Sequence, residues 1–191
     1  MNLSLDKPRG ITIKSSRELD LMREAGKIIA EAKAAVKAAI TPGVTSKEMD
    51  ALAEEIILKR GAIPSFKGYQ PGPSMPPFPA TVCFSFNEEI VHGIPGNRKM
   101  KDGDIVSVDF GAIVEGFHGD SAFTAGVGSI SEQASDLIKA TEKALMKGIE
   151  KAGTINGGIA KSTVAIDVIQ KLAQVLIDEN PAKLTDEQEM Y

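Results

Sequence analysis

The sequence predicts an α+β fold in which helices cover one face of a curved antiparallel sheet. Two segments with helical periodicity open the chain, a Gly/Pro-rich region with short β-forming runs follows, and further helical segments come last. A hydrophobic fraction of 42% and a charged fraction of 25% over 191 residues are ordinary for a globular protein with a sizeable core.

Composition narrows the classes of function. A net charge of −4 gives no reason to expect nucleic acid as the main ligand. A single cysteine, Cys83, excludes an internal disulfide framework and suits a reducing compartment. No apolar run approaches the roughly 20 residues of a membrane span, and the N-terminus lacks the apolar core of a signal peptide. The sequence therefore predicts a cytoplasmic protein without a membrane partner.

The first half begins with an arm and two helices. Residues 1–14 are expected to form the arm, with a short strand at 11–13 as an option. Ser15 and Glu18 have capping-box spacing, as do Thr45 and Glu48, so a helix is predicted to start at each pair. The predicted apolar stripes are Leu19, Met22, Gly26, Ile29, Val36 and Ile40 on the first helix, and Met49, Leu52, Ile56 and Leu58 on the second.

A loop-like region separates these helices from the sheet. Five prolines between Pro71 and Pro79 exclude a helix or a central strand, and the whole of residues 63–79 is predicted to be loop. Its aromatic residues either line an apolar pocket or simply pack the loop down. Residues 80–86 read as a strand, and a tight Gly/Pro loop carrying His92 follows.

The last part is predicted to be helical. Ser131 starts a third helix that runs to about Ala152. Residues 153–191 form a tail of different character, in which residues 160–177 read as another amphipathic helix.

Residues 104–120 are predicted to form a β-hairpin with an aspartate on each strand. Side chains alternate between faces, so Asp109 and Asp120, an odd distance apart, share a face if the loop has an even number of residues. With Val114 and Glu115 central the aspartates pair directly, and with Glu115 and Gly116 central they lie diagonally. Two carboxylates this close require a cation or a shared proton.

The hairpin is therefore a candidate site for divalent metal, because hard oxygen donors on adjacent strands can bind such ions. The alternative is two aspartates on a solvated face. His118 lies on the same face and is a candidate ligand or an ordinary strand histidine, while His92 is a candidate general acid/base or hydrogen-bond donor. Cys83 is predicted to be a small buried or pocket-lining residue rather than a nucleophile.

Four segments resemble type I methionine aminopeptidases: FKGY at 66–69, FPATVCFSFNEEIVHGIP at 78–95, KDGDIVSVDFGA at 101–112 and GFHGDSAFT at 116–124. The helical segment TPGVTSKEMD at 41–50 is also similar to that family. The resemblance covers roughly residues 10–152 and implies the first half of the pita-bread fold, with residues 15–152 as a catalytic half-domain and 153–191 unmatched.

The resemblance also implies roles for individual residues. Asp109 and Asp120 would be two ligands of a dinuclear divalent-metal centre, and His92 would contact the substrate and assist the tetrahedral intermediate. The methionine pocket would be formed by Tyr69, Phe78, Cys83 and Phe66. The implied activity is removal of N-terminal methionine from nascent polypeptides by metal-assisted hydrolysis, by a monomer.

This sequence departs from the family pattern in its last part. The family completes its site with a histidine and two glutamates from its second half, and no histidine follows His118 here. Two interpretations stay open: an aminopeptidase whose second half is replaced, with reduced or lost activity, and a non-catalytic module that uses half the fold for binding. The loop of residues 70–77 is also longer than usual in the family.

Overall fold

The structure is a computed structural model that describes residues 13–154. Its elements are Ser16–Ala39 (α1), Ser46–Lys59 (α2), Ile63–Pro64 (β1), Val82–Phe86 (β2), Ile105–Val114 (β3), Phe117–Gly126 (β4) and Glu132–Thr154 (α3). The predicted α+β class with an antiparallel sheet is confirmed. The optional strand at 11–13 and the predicted helix at 160–177 fall on residues that lie, apart from Ile13, outside the described range.

Both predicted capping boxes are present. Ser15 Oγ accepts a hydrogen bond from the Glu18 backbone N–H at 3.3 Å, and the Glu18 carboxylate accepts one from the Ser15 N–H at 2.7 Å. Thr45 and Glu48 repeat this exchange at the start of α2. The hydrogen bonds hold the pKa of each glutamate below its ordinary value, because they stabilise the charged carboxylate.

The predicted apolar stripe of α1 was partly wrong. Ile29 and Val36 are buried, but Leu19 and Met22 are 39% and 40% exposed. Ala25, Ile28 and Ala32 are buried in their place, and the small alanine side chains let the helix backbone approach the sheet closely. A Cβ added to Gly119 of β4 would lie 2.7 Å from the backbone carbon of Ala25. Helix α1 therefore packs on β3 and β4 through a face that includes small alanine side chains.

The stripe of α2 is rotated by about one residue from its prediction. Met49 is buried as expected, and Ala53 and Ile57 are buried beside it. Leu58, predicted to face the core, is 53% exposed. Leu52 and Ile56 are only partly buried against the core.

Strand β3 is the centre of the four-stranded sheet. One edge pairs with β4 along its whole length, and the other pairs first with β2 and then with the short β1. The helix-covered face of β3 consists of Val106, Val108, Phe110 and Ala112, all fully buried. This face, α1 and α2 form one hydrophobic core.

Two strand boundaries differ from the prediction. Strand β2 begins at Val82 rather than at residue 80. Residues 63–64, predicted to be loop, form strand β1 and pair with Ile113 and Ala112. Pro64 is tolerated because β1 is a two-residue edge strand, where a missing N–H costs little.

The chain divides into two compact units with a boundary between Ile130 and Ser131. The second unit begins with α3, where Ser131 Oγ accepts a hydrogen bond from the Ala134 N–H at 3.2 Å. The apolar side chains Leu137, Leu145, Met146 and Ile149 are 38–58% exposed. None of the helices described within residues 13–154 is long and apolar enough to cross a membrane.

Candidate metal centre and substrate pocket

The hairpin brings Asp109 and Asp120 onto one face of the sheet. Its turn is centred on Glu115 and Gly116, whose φ values of +47° and +85° match a type I′ turn. In the resulting register Asp109 lies opposite Ala122 and Asp120 lies opposite Gly111. The two aspartates are thus diagonal neighbours, the second of the two arrangements that parity allowed.

Asp109 points away from the hydrophobic core. Its strand neighbours Val108 and Phe110 face α1 and α2, so its own side chain lies on the opposite face. That face also carries Cys83, which lies directly across from Asp109 on β2. Farther along, Ser107 and Thr124 are joined by a side-chain hydrogen bond of 2.8 Å.

The carboxylate of Asp109 is incompletely satisfied. Its Oδ1 is buried and accepts no hydrogen bond from any residue that the structure describes. Burial raises the pKa of Asp109 above its ordinary value, and the negative charge of Asp120 raises it further. The Phe110 backbone N–H and the nearby His92 act in the opposite direction. A buried oxygen in this environment is suited to a cation, which would offset both the burial of the Asp109 carboxylate and its repulsion by Asp120.

The donor set therefore fits a divalent metal at the aspartate pair, but only in part. Within residues 13–154, no group of three or more His, Cys, Asp or Glu side chains is placed to hold a metal ion. Two carboxylates are fewer than the protein ligands of a typical tight metal site, so the described residues provide part of a coordination sphere.

Cys83 is a poor nucleophile in this environment. Its side chain is 6% exposed. Burial raises the pKa of its thiol to about 11, and the charges of Asp109 and Asp120 contribute to the increase. The neutral thiol therefore acts as a small apolar surface beside the aspartates.

His92 occupies a backbone conformation that side chains rarely adopt, with φ at +61°. The following residue explains how the loop is held. The Gly93 N–H donates to Ser85 Oγ at 3.1 Å, and its carbonyl accepts from the Phe84 N–H at 2.8 Å. A Cβ on Gly93 would collide with the Phe84 carbonyl oxygen. His92 is thus exposed on a loop fixed tightly to β2, close enough for its charge to act on Asp109.

The three candidate pocket aromatics belong to one hydrogen-bonded loop. The Gly68 N–H donates to the Phe78 carbonyl, and the Phe78 N–H donates to the Tyr69 carbonyl, both at 2.8 Å. These bonds close the long segment of residues 70–77 at its base. Phe66 and Phe78 are half-buried, whereas Tyr69 is 63% exposed.

His118 contacts a residue that the sequence did not single out. Its Nδ1 and Ser65 Oγ are hydrogen-bonded at 3.1 Å. Asp50 is a second such residue: its Oδ1 accepts the backbone N–H groups of Thr81 and Val82 at 2.8 and 2.9 Å. Neither contact leaves a sequence signal, because the partners are 53 and about 31 residues apart.

An α+β fold with two carboxylates on one sheet face, one of them with a buried unsatisfied oxygen, fits the class of metal-dependent hydrolases. The model of metallopeptidase family M24 matches residues 20–180, which continues beyond residue 152 where the quoted motifs end. The chain belongs to metallopeptidase family M24.

Two curated relatives of this chain are methionine aminopeptidases. The enzyme named methionine aminopeptidase in Clostridium perfringens is 51% identical over 142 residues, covering 74% of this chain and 55% of the relative. Methionine aminopeptidase 1 of Bacillus subtilis is also 51% identical over 142 residues, with the same coverage. The chain therefore spans about half the length of the curated relatives it matches.

A solved structure of a methionine aminopeptidase is also similar to this chain. The crystal structure of methionine aminopeptidase from Thermotoga maritima matches with a TM-score of 0.69 and 40% identity, covering 73% of this chain and 54% of that one. The predicted relation to the pita-bread fold is confirmed by this similarity.

Proposed function

We propose that this chain acts in the removal of N-terminal methionine from polypeptides by metal-assisted hydrolysis. The observation that carries the proposal is the buried, unsatisfied Oδ1 of Asp109 beside Asp120, on two adjacent strands of an M24 fold. The names of the relatives supply the substrate, because they are methionine aminopeptidases.

In the proposed mechanism Asp109 and Asp120 hold divalent metal. When bound, two such ions supply Lewis acidity that lowers the pKa of water and polarises the scissile carbonyl. The aspartates are suited to this because their strands fix both carboxylates on one face before any ligand arrives. Ionised Asp109 is held in the fold at a cost, and cation binding relieves it.

His92 is proposed to donate a hydrogen bond to the substrate. Its left-handed backbone and the tight packing of Gly93 against Phe84 keep the imidazole on a rigid support. An exposed, fixed donor near the carboxylates can orient a peptide carbonyl and stabilise charge that develops on its oxygen.

The proposed specificity pocket is apolar and lies on the same side of the sheet as Cys83. Phe66, Tyr69 and Phe78 come from one closed loop, and the neutral thiol of Cys83 adds a small apolar surface. A methionine side chain suits such a pocket, since its thioether makes favourable contacts with aromatic rings. The proposed partners are N-termini of nascent polypeptides in the cytoplasm, acted on by a monomer.

Hydrolysis of a short peptide tests the proposal directly. The full chain would be incubated with Met-Ala-Ser and added Mn²⁺ or Co²⁺, and released methionine would be quantified. We expect turnover that is lost in Asp109→Ala and strongly reduced in His92→Ala. Asp20→Ala is the matched control, because Asp20 is an exposed α1 residue paired with Arg23.

Two outcomes would contradict the proposal. Turnover that persists at the wild-type level in Asp109→Ala would remove the aspartate pair from the chemistry. An absence of turnover with every metal tested would reject hydrolysis by this chain and favour the non-catalytic binding module.

A further inference from the structure

Gly111 occupies the central position of the candidate site. It follows Asp109 by two residues on β3, so both face the same side of the sheet, and it lies directly opposite Asp120 on β4. Its backbone has no left-handed φ, so the conformation itself does not require glycine. A side chain is excluded because the space above Gly111 is already occupied.

That space is filled by Ser65 and Phe66. A Cβ added to Gly111 would lie 2.6 Å from Ser65 Cβ and 2.8 Å from Phe66 Cε1. The edge of the Phe66 ring therefore lies against Gly111, which is next to both Asp109 and Asp120 on this face. This places one aromatic wall of the pocket directly beside the carboxylates, which neither burial nor sequence spacing revealed.

Two bonds hold this segment in place. The Ser65 N–H donates to the Gly111 carbonyl at 2.9 Å, which anchors the backbone. The hydroxyl of Ser65 is hydrogen-bonded to Nδ1 of His118, a residue of β4 on the same face as Asp120. The side-chain bond fixes the orientation of Ser65, and with it the start of the loop that carries Phe66.

We propose that Ser65 and His118 are positioning residues that hold the Phe66 ring on Gly111 and so set the pocket wall for the substrate's first side chain. The inference rests on the proposed function for its effect on substrate, but the placement of Phe66 is a property of the free chain. His118 is exposed, so its removal leaves no core cavity, and the backbone bond of Ser65 remains to hold β1.

The first measurement is made on the free chain by NMR. We expect a nuclear Overhauser effect between the Phe66 ring protons and the Gly111 α protons of the labelled 191-residue chain. It should weaken in Ser65→Ala and His118→Ala and be retained in His118→Asn, whose amide can replace Nδ1. A melting temperature unchanged from wild type would show that the fold is intact in each variant.

The second measurement is the kinetics of Met-Ala-Ser hydrolysis. We expect KM to rise about three- to tenfold in His118→Ala and Ser65→Ala with kcat little changed, the size of one lost hydrogen bond. The double variant should be no worse than either single one, because both break the same bond. His118→Asn should restore KM.

A steric pair of variants provides an independent test. Gly111→Ala should displace Phe66, abolish the NMR contact and raise KM. Gly126→Ala is the matched control, because its Cβ would meet Ile130 at 2.6 Å on the same face but away from the aspartates. It should leave the Phe66 contact and KM unchanged.

The outcomes separate this inference from the proposed function. If the wild-type chain hydrolyses nothing, the proposed function fails, and the NMR contact alone decides the placement of Phe66. A contact and a KM that are unchanged in His118→Ala would overturn the positioning role. A fall in kcat with constant KM would also overturn it, since His118 would then act in the chemistry.

Discussion

Metal binding at the aspartate pair should stabilise the fold by a predictable amount. A site with two carboxylate ligands is expected to bind a divalent ion with Kd of about 1 mM, at the weak end of oxygen-donor sites. With about 10 mM Mn²⁺ the stabilisation is RT ln(1 + [L]/Kd), or about 1.4 kcal/mol. For a chain of 191 residues this corresponds to a rise in melting temperature of about 3–6 °C.

Asp109→Asn should remove the metal effect without harming the fold. The raised pKa of Asp109 means that its ionised form is disfavoured in the folded state, so a neutral side chain of the same shape relieves this cost. In EDTA the variant should melt at or above the wild-type temperature, and added Mn²⁺ should produce no shift. Asp20→Asn, on the exposed face of α1, should keep the wild-type shift.

The stability of the metal-free chain should depend on pH in the direction that the raised pKa of Asp109 sets. A carboxyl whose folded pKa lies above its ordinary value of 3.8 binds its proton more tightly in the folded state. Its contribution to stability therefore declines as the pH rises above 3.8 and levels off above the folded pKa. Asp109→Asn should flatten this part of the profile.

Differential scanning fluorimetry of the full chain in EDTA and in Mn²⁺ measures each of these quantities. A wild-type metal shift in Asp109→Asn would refute metal binding by Asp109. A melting temperature several degrees lower for that variant in EDTA would show that the carboxylate is a net stabiliser of the fold, and would refute the cost assigned to its burial.

Three further predictions concern the support of the site. Asp50→Ala should lower the free energy of unfolding by about 2–4 kcal/mol in urea titrations, because two buried backbone N–H groups at the start of β2 lose their acceptor. Asp50→Asn keeps an acceptor oxygen and should cost less than half as much. The Cys83 thiol should resist a disulfide reagent at pH 8 in the folded chain, since a pKa of about 11 leaves about 0.1% thiolate. In denaturant the thiol should react at once. Fast reaction in the folded state would contradict the burial of Cys83. Gly93→Ala should reduce the free energy of unfolding by about 1–3 kcal/mol in calorimetry, because the added Cβ collides with the backbone carbonyl of Phe84. Gly72→Ala is the control and should be neutral, because no atom lies within 4 Å of its added Cβ.

The local elements were readable from the sequence because their causes are local. Ser15 and Thr45 each have a glutamate three residues later, and such pairs close a capping box wherever a helix begins. Strand geometry predicts a shared face for Asp109 and Asp120 if the loop has an even number of residues, and the two-residue turn of the hairpin confirms it.

The sequence predicts the buried faces of the helices less well. Periodicity identifies both helices, but it places large side chains such as Leu19 and Leu58 in the core, where Ala25 and Ile57 are buried instead. For α1 the reason is its closeness to the sheet at Gly119, a distance that depends on the partner strand and not on the helix sequence.

By itself, then, the sequence determined the α+β class, the hairpin and, for an even-length loop, a shared face for two carboxylates. Only the tertiary structure decided that Asp109 and Asp120 lie diagonally, that one Asp109 oxygen is buried and unsatisfied, and that Phe66 rests on Gly111 between them. The physical reason is separation along the chain. Register depends on which two residues form the turn, and the contact of Ser65 with His118 joins residues 53 apart, so no local pattern encodes it.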